Sequence, residues 1–596
     1  MNTLTKKTLE KLSELDLDEA RISIEKTKDN INVFLMNFNG KEKYIGSKYN
    51  GQRDIDSILN EITYINIDTL IIIFGIGSGE YIKEVLEKLS KFNRLLIVEP
   101  EPLIIRTFLK MSYSKEILED ERVSLLLFNE SHIVDDLTYV IEDETQYRNL
   151  KHISFSNYTQ LFDESYKKLL HGIKTLLTFY DSNVVTEKLL KRDLFVTYLN
   201  NLKFIIHDYK INKLKNKLKN IPAIIVSAGP SLEDNIQKLK KVKDNFVIIC
   251  GNRTLKPLLD EGIIPHFVCA VDNSDLIYDM VKDCINFKVP LVYLETSNNK
   301  TITNYVGDRI FFKYKGYETK VEELIGEQVD TLYVGGSVAH VCTDFAAYLG
   351  CSPVIFIGQD LALRDKKIYA DSAEQGINTN NQDYIQVEDV SGNNILTTRS
   401  FMLFKESFEY YFSVKSDTKF INSSNGGAKI KGTEFMALSD VISDYWQDNN
   451  ISNILKEIFS ERINVDYTKV LNLISEYIMN LESLQRDLVF YIKKCDEILN
   501  LKEEKDILTE IVNLYNLNDK IEKSSALEFV TILVDEIFVE ISSEFSYKES
   551  ESKVENVVNI TKAFKKLYEK LYETIEYAVP LIEDTYKELN EKRNNN

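Results

Sequence analysis

Apolar and polar positions change their rhythm along the chain. Near the start, INVFLMNFNG-KEKYIGSKYNG alternates on both sides of Asn39-Gly40, which predicts a β-hairpin. TLIIIFGIGSGEYIKEVLEKLSKFNRLLIVEPEP then reads strand, glycine loop, helix, strand and acidic residue, one βαβ half-unit. From Glu164 to about Tyr209 the spacing is helical and predicts a connector. Short apolar runs follow: AIIVSAG (223–229), FVIICG (246–251), FVCAVD (267–272), PLVYLET (290–296), RIFFKY (309–314) and PVIFIGQD (353–360). Continuous apolar runs predict strands buried on both faces, hence a parallel sheet covered by helices. A polar stretch from Arg364 to Asn394 reads as a long loop or lid.

Towards the C-terminus, Val470, Ile474, Tyr477, Leu481, Leu484, Leu488, Tyr491, Cys495 and Ile498 recur about every 3.5 residues. Val557, Ile560, Phe564, Leu567, Leu571 and Ile575 form a second stripe. Both predict amphipathic helices in a hairpin or bundle, serving either as a helical core or as a protein-docking surface. The reading is thus an α/β protein. A central Rossmann-like parallel-sheet domain (206–438) lies between an N-terminal α/β domain (1–205) and a C-terminal helical domain (439–596). The 596-residue length fits about three or four domains.

Composition narrows the partners. The chain holds 73 basic and 93 acidic residues, a net charge of −20, so bulk attraction to nucleic acid or an anionic membrane is not expected. An anionic substrate would need local donors and cations. The six cysteines, Cys250, Cys269, Cys284, Cys342, Cys351 and Cys495, include no CxxC pair, which fits a reducing cytoplasm. The start, MNTLTKKTLEKLSELDLDEA, lacks the apolar core of a signal peptide, and the longest apolar run, Leu70 to Ile76, is too short to cross a bilayer.

Candidate chemistry gathers at strand ends. Ser227-Ala228-Gly229-Pro230-Ser231-Leu232 joins a strand to a helix start, with Glu233 and Asp234 in the first turn. It reads either as a phosphate-binding loop, although without the GK[ST] ending of a Walker A loop, or as a plain tight turn. Asn252 ends the second strand and suits a base or ribose edge, and Arg253 and Lys256 supply cations near a phosphate. Asp272 and Asn273 end the third strand. Asp272 either faces the ligand crevice or caps a helix. Gly335-Gly336-Ser337 begins a helix and reads as a second anion site, and Gly358-Gln359-Asp360 ends another strand. Arg364, Lys366, Lys367, Tyr369 and Asp371 follow, and INSSNGGAKIKGT brings Asn422, Ser423, Asn425, Gly426, Gly427, Lys429 and Lys431. Several polar strand ends in one α/β domain point to a nucleotide-binding crevice. In the central region no HExxH, DxD pair or Cys/His cluster calls for a metal.

The central region resembles the motility accessory factor (Maf) family of flagellin glycosyltransferases. The matching pieces are SAGPSL (227–232), GNRTLKPLLDEGIIPHFVCAVD (251–272), GGSVAH (335–340), IFIGQDLAL (355–363), YADS (369–372) and NSSNGGAKIKGT (422–433). The resemblance implies transfer of a nonulosonic acid, such as pseudaminic or legionaminic acid, from a CMP-sugar to Ser or Thr of flagellin, with no further cofactor. The region is also similar to bacterial sialyltransferases. That likeness implies Gly229, Pro230 and Ser231 at the nucleotide phosphate, Asn252 and Asp272 along the cytidine or sugar side, and Tyr369 at the departing phosphate. One departure is plain: residues 370–440 hold no histidine to serve as the sialyltransferase base. His266 and His340 lie in other motifs and read as core or surface histidines. Asp360, Asp371 and Glu388 remain as alternative bases, or the reaction needs little base help.

Two further readings stand beside the transferase. The domain also resembles 6-hydroxymethylpterin diphosphokinase, which would act on ATP with Mg²⁺. A non-catalytic flagellin-binding assembly factor would use the same fold without chemistry. In the N-terminal region, Gly75-Ile76-Gly77-Ser78-Gly79 followed about twenty residues on by Glu99 resembles the cofactor loop of methyltransferases, with Glu99 taking ribose hydroxyls, or it serves a purely structural or docking role.

Overall fold

The computed structural model describes residues 3–38, 40–63, 65, 69–90, 93–129, 133, 137, 150–314, 320–365, 367–373, 384–415, 417–460, 465–501, 504–522, 524–542 and 552–595. Two compact units emerge. One comprises Met1–Leu189, Phe490–Asp519 and Asp535–Lys570, the other Leu190–Val489, Lys520–Val534 and Leu571–Asn596. The helical C-terminal residues are thus divided between the two. No described helix is long and apolar enough to cross a membrane. All six cysteines are buried and unpaired.

In the first unit, strands β1 (Ile22–Lys26), β2 (Asn32–Phe38) and β3 (Lys41–Ile45) form an antiparallel sheet in that order. The expected hairpin is the β2–β3 pair, closing at Phe38 opposite Lys41. Its Asn39 lies outside the described residues, while Gly40 takes φ +87° and donates its N–H to Asn37 Oδ1 at 2.7 Å. A second sheet is wholly parallel, ordered β6 (Val123–Leu127), β5 (Arg94–Glu99), β4 (Leu70–Phe74), β7 (Leu150–Ser154). All five side chains of β4 are buried, as an uninterrupted LIIIF run between two parallel neighbours requires. The connector is a helix over Asp163–Ile205, within which the first unit ends.

The second unit is built on a nine-stranded parallel sheet. In chain order its strands are β8 (Tyr209–Lys210), β9 (Ala223–Val226), β10 (Val247–Gly251), β11 (Phe267–Cys269), β12 (Leu291–Tyr293), β13 (Arg309–Phe311), β14 (Val354–Ile357), β17 (Phe420–Asn422) and β18 (Glu434–Phe435). Across the sheet the order is β18-β17-β14-β9-β10-β11-β12-β13-β8. Register places Ile224 between Ile248 and Ile355. From β9 the chain steps outward through β13, then returns to the other flank of β9 as β14. That reversal is a topological switch point, where open parallel sheets leave a crevice at their C-terminal tips.

Part of the polar stretch expected as a loop or lid is ordered differently. Tyr384–Glu388 and Asn394–Thr398 pair as an antiparallel hairpin, β15 and β16, in register from Tyr384 opposite Thr398. Asp389 Oδ1 accepts the N–H groups of Ser391 and Asn393, each at 2.8 Å, and Gly392 takes φ +88° to close the turn. Lys366 and residues 374–383 lie outside the described residues. Both C-terminal stripes fall on helices, Tyr467–Leu499 and Lys553–Asn595, and every stripe residue is buried. Within the first unit, Tyr491 and Tyr568 rings meet at 5.7 Å, and Lys565 pairs with Asp496 at 2.7 Å.

Candidate functional site

A cavity of about 960 Å³ opens at the strand tips around the switch point, a size that suits a nucleotide-scale ligand. Its walls are the segments after β9 (Ser227 to Gly229), β10 (Asn252 to Thr254), β11 (Asp272 to Ile277) and β14 (Gly358 to Leu361). Asn298 to Lys300, Ser337 to Ala339, Ile368 and Tyr369 complete it, with Phe401 and Phe404 from one helix and Asp193 and Thr197 from another. Ser227, Gly229, Asn252, Asp272, Asn273, Ser337, Gly358, Asp360 and Tyr369, all singled out in the sequence, therefore share one space. Pro230, Ser231, Gly335, Gly336, Asp371, Asn422 and Asn425 do not line it.

The reason Ser231 is withdrawn is Asp360. Ser231 is fully buried, and its N–H donates to Asp360 Oδ2 at 2.6 Å while its hydroxyl donates to Oδ1. Gly229 N–H donates to the Gly358 carbonyl at 2.7 Å. The approach is tight enough that a Cβ on Gly229 would lie 2.6 Å from both Asp360 Oδ2 and Gly358 O. On the other side, Ala428 N–H donates to the Asp360 carbonyl at 2.7 Å, and Ser424 Oγ accepts Gln359 N–H at 2.9 Å. Asn422 is buried beneath this seam, with Oδ1 accepting Ser424 N–H at 2.9 Å, while Asn425 is exposed on the loop. Burial raises the Asp360 carboxyl from 3.8 to about 6 against the pull of its Ser231 bonds.

The other carboxylates separate clearly. Asp371 is exposed and paired with Lys367, and Glu388 is exposed and paired with Lys429 at 2.9 Å, so neither reaches the cavity wall. Asp272 does. The cap of the helix Asp275–Val281 is Ser274, whose Oγ accepts Leu276 N–H at 3.3 Å, so capping does not occupy Asp272. Asp272 is open to the cavity, yet protein surrounds it closely enough that burial lifts its carboxyl above the ordinary range. Among the described residues no donor or cation pairs with that carboxylate. Its neighbour Asn273 is held by the Thr197 hydroxyl, which donates to Oδ1 at 2.9 Å.

Cations and histidines sort in the same way. Arg253 lies over the Tyr369 ring, 4.4 Å from its centroid, whereas Lys256 turns back to Asp260 at 3.4 Å. Tyr369 is held in place because Ala370 N–H donates to Ala228 O at 2.9 Å, and Arg364 pairs with Asp234 at 2.6 Å. His340 is buried and stacked on Phe408 at 3.8 Å. Its Nε2 faces the Phe404 carbonyl at 3.1 Å and so carries the proton, leaving Nδ1 to accept from Ser337 Oγ at 2.8 Å. Burial lowers it to about 4. His266 Nδ1 accepts Ile248 N–H at 3.0 Å. Both are structural histidines.

Sequence reasoning missed Phe401, Phe404, Asp193 and Thr197, which come from helices outside the motif-bearing loops. An aromatic pair three residues apart was the one available signal for Phe401 and Phe404.

The N-terminal glycine loop is filled by the chain itself. A Cβ at Gly75 would lie 2.5 Å from the Tyr158 ring and one at Gly77 2.6 Å from Phe155, while Gly79 faces Phe108. Glu99 is fully buried and accepts Ile76 N–H at 2.9 Å, Glu101 N–H at 3.0 Å and the Tyr158 hydroxyl at 2.7 Å. Burial pushes its carboxyl to about 8. The carboxylate expected to take ribose hydroxyls thus already accepts three hydrogen bonds from the chain itself.

Fold and cavity together define an open parallel α/β protein with a cavity at its switch point. Within it, residues 196–366 match the family model described as 6-hydroxymethylpterin diphosphokinase MptE-like. The chain is similar to a solved Maf glycosyltransferase from Magnetospirillum magneticum AMB-1, at 14% identity and TM-score 0.48, covering 98% of this chain and 93% of that one. No curated protein matches the chain in sequence.

Proposed function

We propose that this protein is a cytoplasmic glycosyltransferase that moves a nonulosonic acid, of the pseudaminic or legionaminic type, from its CMP-sugar to Ser or Thr hydroxyls of flagellin. The observation that carries this reading is the convergence of SAGPSL, GNRT, AVDN, GGSV, GQDL and YADS segments, scattered over the sequence, on one cavity at the switch point. In the reaction, the bond from the anomeric carbon to the phosphate oxygen breaks and its electron pair leaves with CMP. The acceptor hydroxyl oxygen attacks the same carbon and gives up its proton. Asp272 suits that proton: it is a carboxylate on the cavity wall with no partner among the described residues and a raised proton affinity.

The test is intact-mass measurement of flagellin co-expressed with this chain and a CMP-sugar pathway. Wild type adds nonulosonic acid masses, and Asp272→Asn adds none while still binding CMP. An unmodified flagellin with the wild-type chain sinks the reading, and full modification by Asp272→Asn removes Asp272 from it. A pterin diphosphokinase is the second reading, favoured by the family match over 196–366. It predicts a diphosphorylated pterin from MgATP, lost on chelation. An assembly factor without chemistry predicts flagellin binding at unchanged mass.

A further inference from the structure

Two helices begin at the cavity wall, and neither has a side-chain cap. Asn252–Asp260 is nine residues long and follows Gly251, and Val338–Tyr348 is eleven residues long and follows Ser337, whose hydroxyl is turned to His340. The two starts abut: a Cβ on Gly251 would lie 2.7 Å from Val338 Cγ1. First-turn N–H groups lack intrahelical acceptors and carry the positive end of the helix dipole. Asn252 is only 6% exposed yet lines the cavity, and the one hydrogen-bond contact of its amide among the described residues is the weak acceptor Met280 Sδ at 3.0 Å.

Beside it, the Arg253 guanidinium carbon lies over the Tyr369 ring, 4.4 Å from its centroid, on the cavity wall. Its hydrogen bond to Ala373 O is long, 3.4 Å, and no described carboxylate pairs with it. The other basic group on the wall, Lys300, is already paired with Asp275. The Gly229-Pro230-Ser231 turn is the opposite case. Gly229 N–H is given to Gly358 O, Pro230 has none, and Ser231 gives both donors to Asp360, whose carboxylate would repel an anion.

We infer that the phosphate of the bound nucleotide is held by Arg253, Asn252 and the two helix starts at Asn252 and Val338, not by the Gly229-Pro230-Ser231 turn. The assignment rests on the nucleotide-sugar reading above, and its test separates the two. The full chain is titrated with CMP, cytidine, ATP and adenosine. CMP binds more tightly than cytidine, and Arg253→Gln weakens CMP by roughly 10- to 100-fold while cytidine binding stays put. Arg253→Lys, which keeps charge but not the planar fork, restores part of the loss.

If Arg253→Gln keeps the preference of CMP over cytidine, or if Ser231→Ala alone removes it, the assignment is overturned. If the wild type distinguishes ATP from adenosine but not CMP from cytidine, and Arg253→Gln abolishes that, the phosphate site stands and the CMP-sugar reading falls. If no nucleotide binds better than its nucleoside, the phosphate site falls whatever the flagellin mass.

Discussion

Asp360→Asn is the substitution whose effect can be worked furthest from the structure. Asp360 is 4% exposed, its carboxylate accepting from Ser231 and its carbonyl from Ala428. Unfolded, its carboxyl loses its proton near 3.8, and folded it keeps the proton up to about 6. Between those values the folded state binds more protons than the unfolded one. Stability therefore falls as pH rises through this window, by about 3 kcal/mol in all, and is level above it. Asparagine has nearly the same shape, still accepts the Ser231 N–H, and does not titrate. Equilibrium denaturation of both proteins, from about pH 4 to about pH 7, should show the variant gaining on wild type by about 2 kcal/mol, with the gain complete near pH 7. Ser231→Ala removes one donor that favours the charged form, so it should carry the wild-type fall to higher pH. Parallel pH curves for wild type and Asp360→Asn would refute the argument, as would a variant that loses ground as pH rises.

Other expectations follow from packing and hydrogen bonds. Gly229→Ala forces a methyl against Asp360 Oδ2 and the Gly358 carbonyl, a backbone atom that cannot swing aside. A cost of about 1–3 kcal/mol and weakened CMP binding should appear together in denaturation and titration. Tyr158→Phe takes a donor from Glu99 and an acceptor from Gly77 N–H. A loss of about 1–3 kcal/mol should lower the melting temperature, and an unchanged melt would show that this network is dispensable. S-adenosylmethionine should not raise the melting temperature of the wild-type chain, and a clear rise would overturn the filled-loop description.

Much of the central sheet was legible because parallel strands buried on both faces must be continuous apolar runs. Ala223–Val226 and Val354–Ile357 announce themselves that way, although each ends before the expected boundary, where the tip peels into a loop. Phe420–Asn422 and Tyr209–Lys210 are too short to carry a pattern, and they join the sheet through register with longer neighbours. The hairpin Tyr384–Thr398 hid behind polarity: its apolar face is only Ile385 and Val387 on one strand and Ile395 on the other, set among polar neighbours. At the site, the glycine and carboxylate positions were readable, but their partnerships were not. Ser231 and Asp360 stand 129 residues apart, and nothing local says that one consumes the donors of the other. The same limit applies to Asp272, whose freedom became visible only when Ser274 proved to be the cap.

The glycine-rich turn after β4 has a practical meaning for anyone redesigning this chain. Its glycines leave room for aromatic rings where a Cβ would otherwise stand. Hollowing it would mean trimming Tyr158, Phe155 and Phe108 together. Water would then reach Glu99, which would surrender its proton at ordinary acidity and become, for the first time, a carboxylate able to greet a sugar hydroxyl.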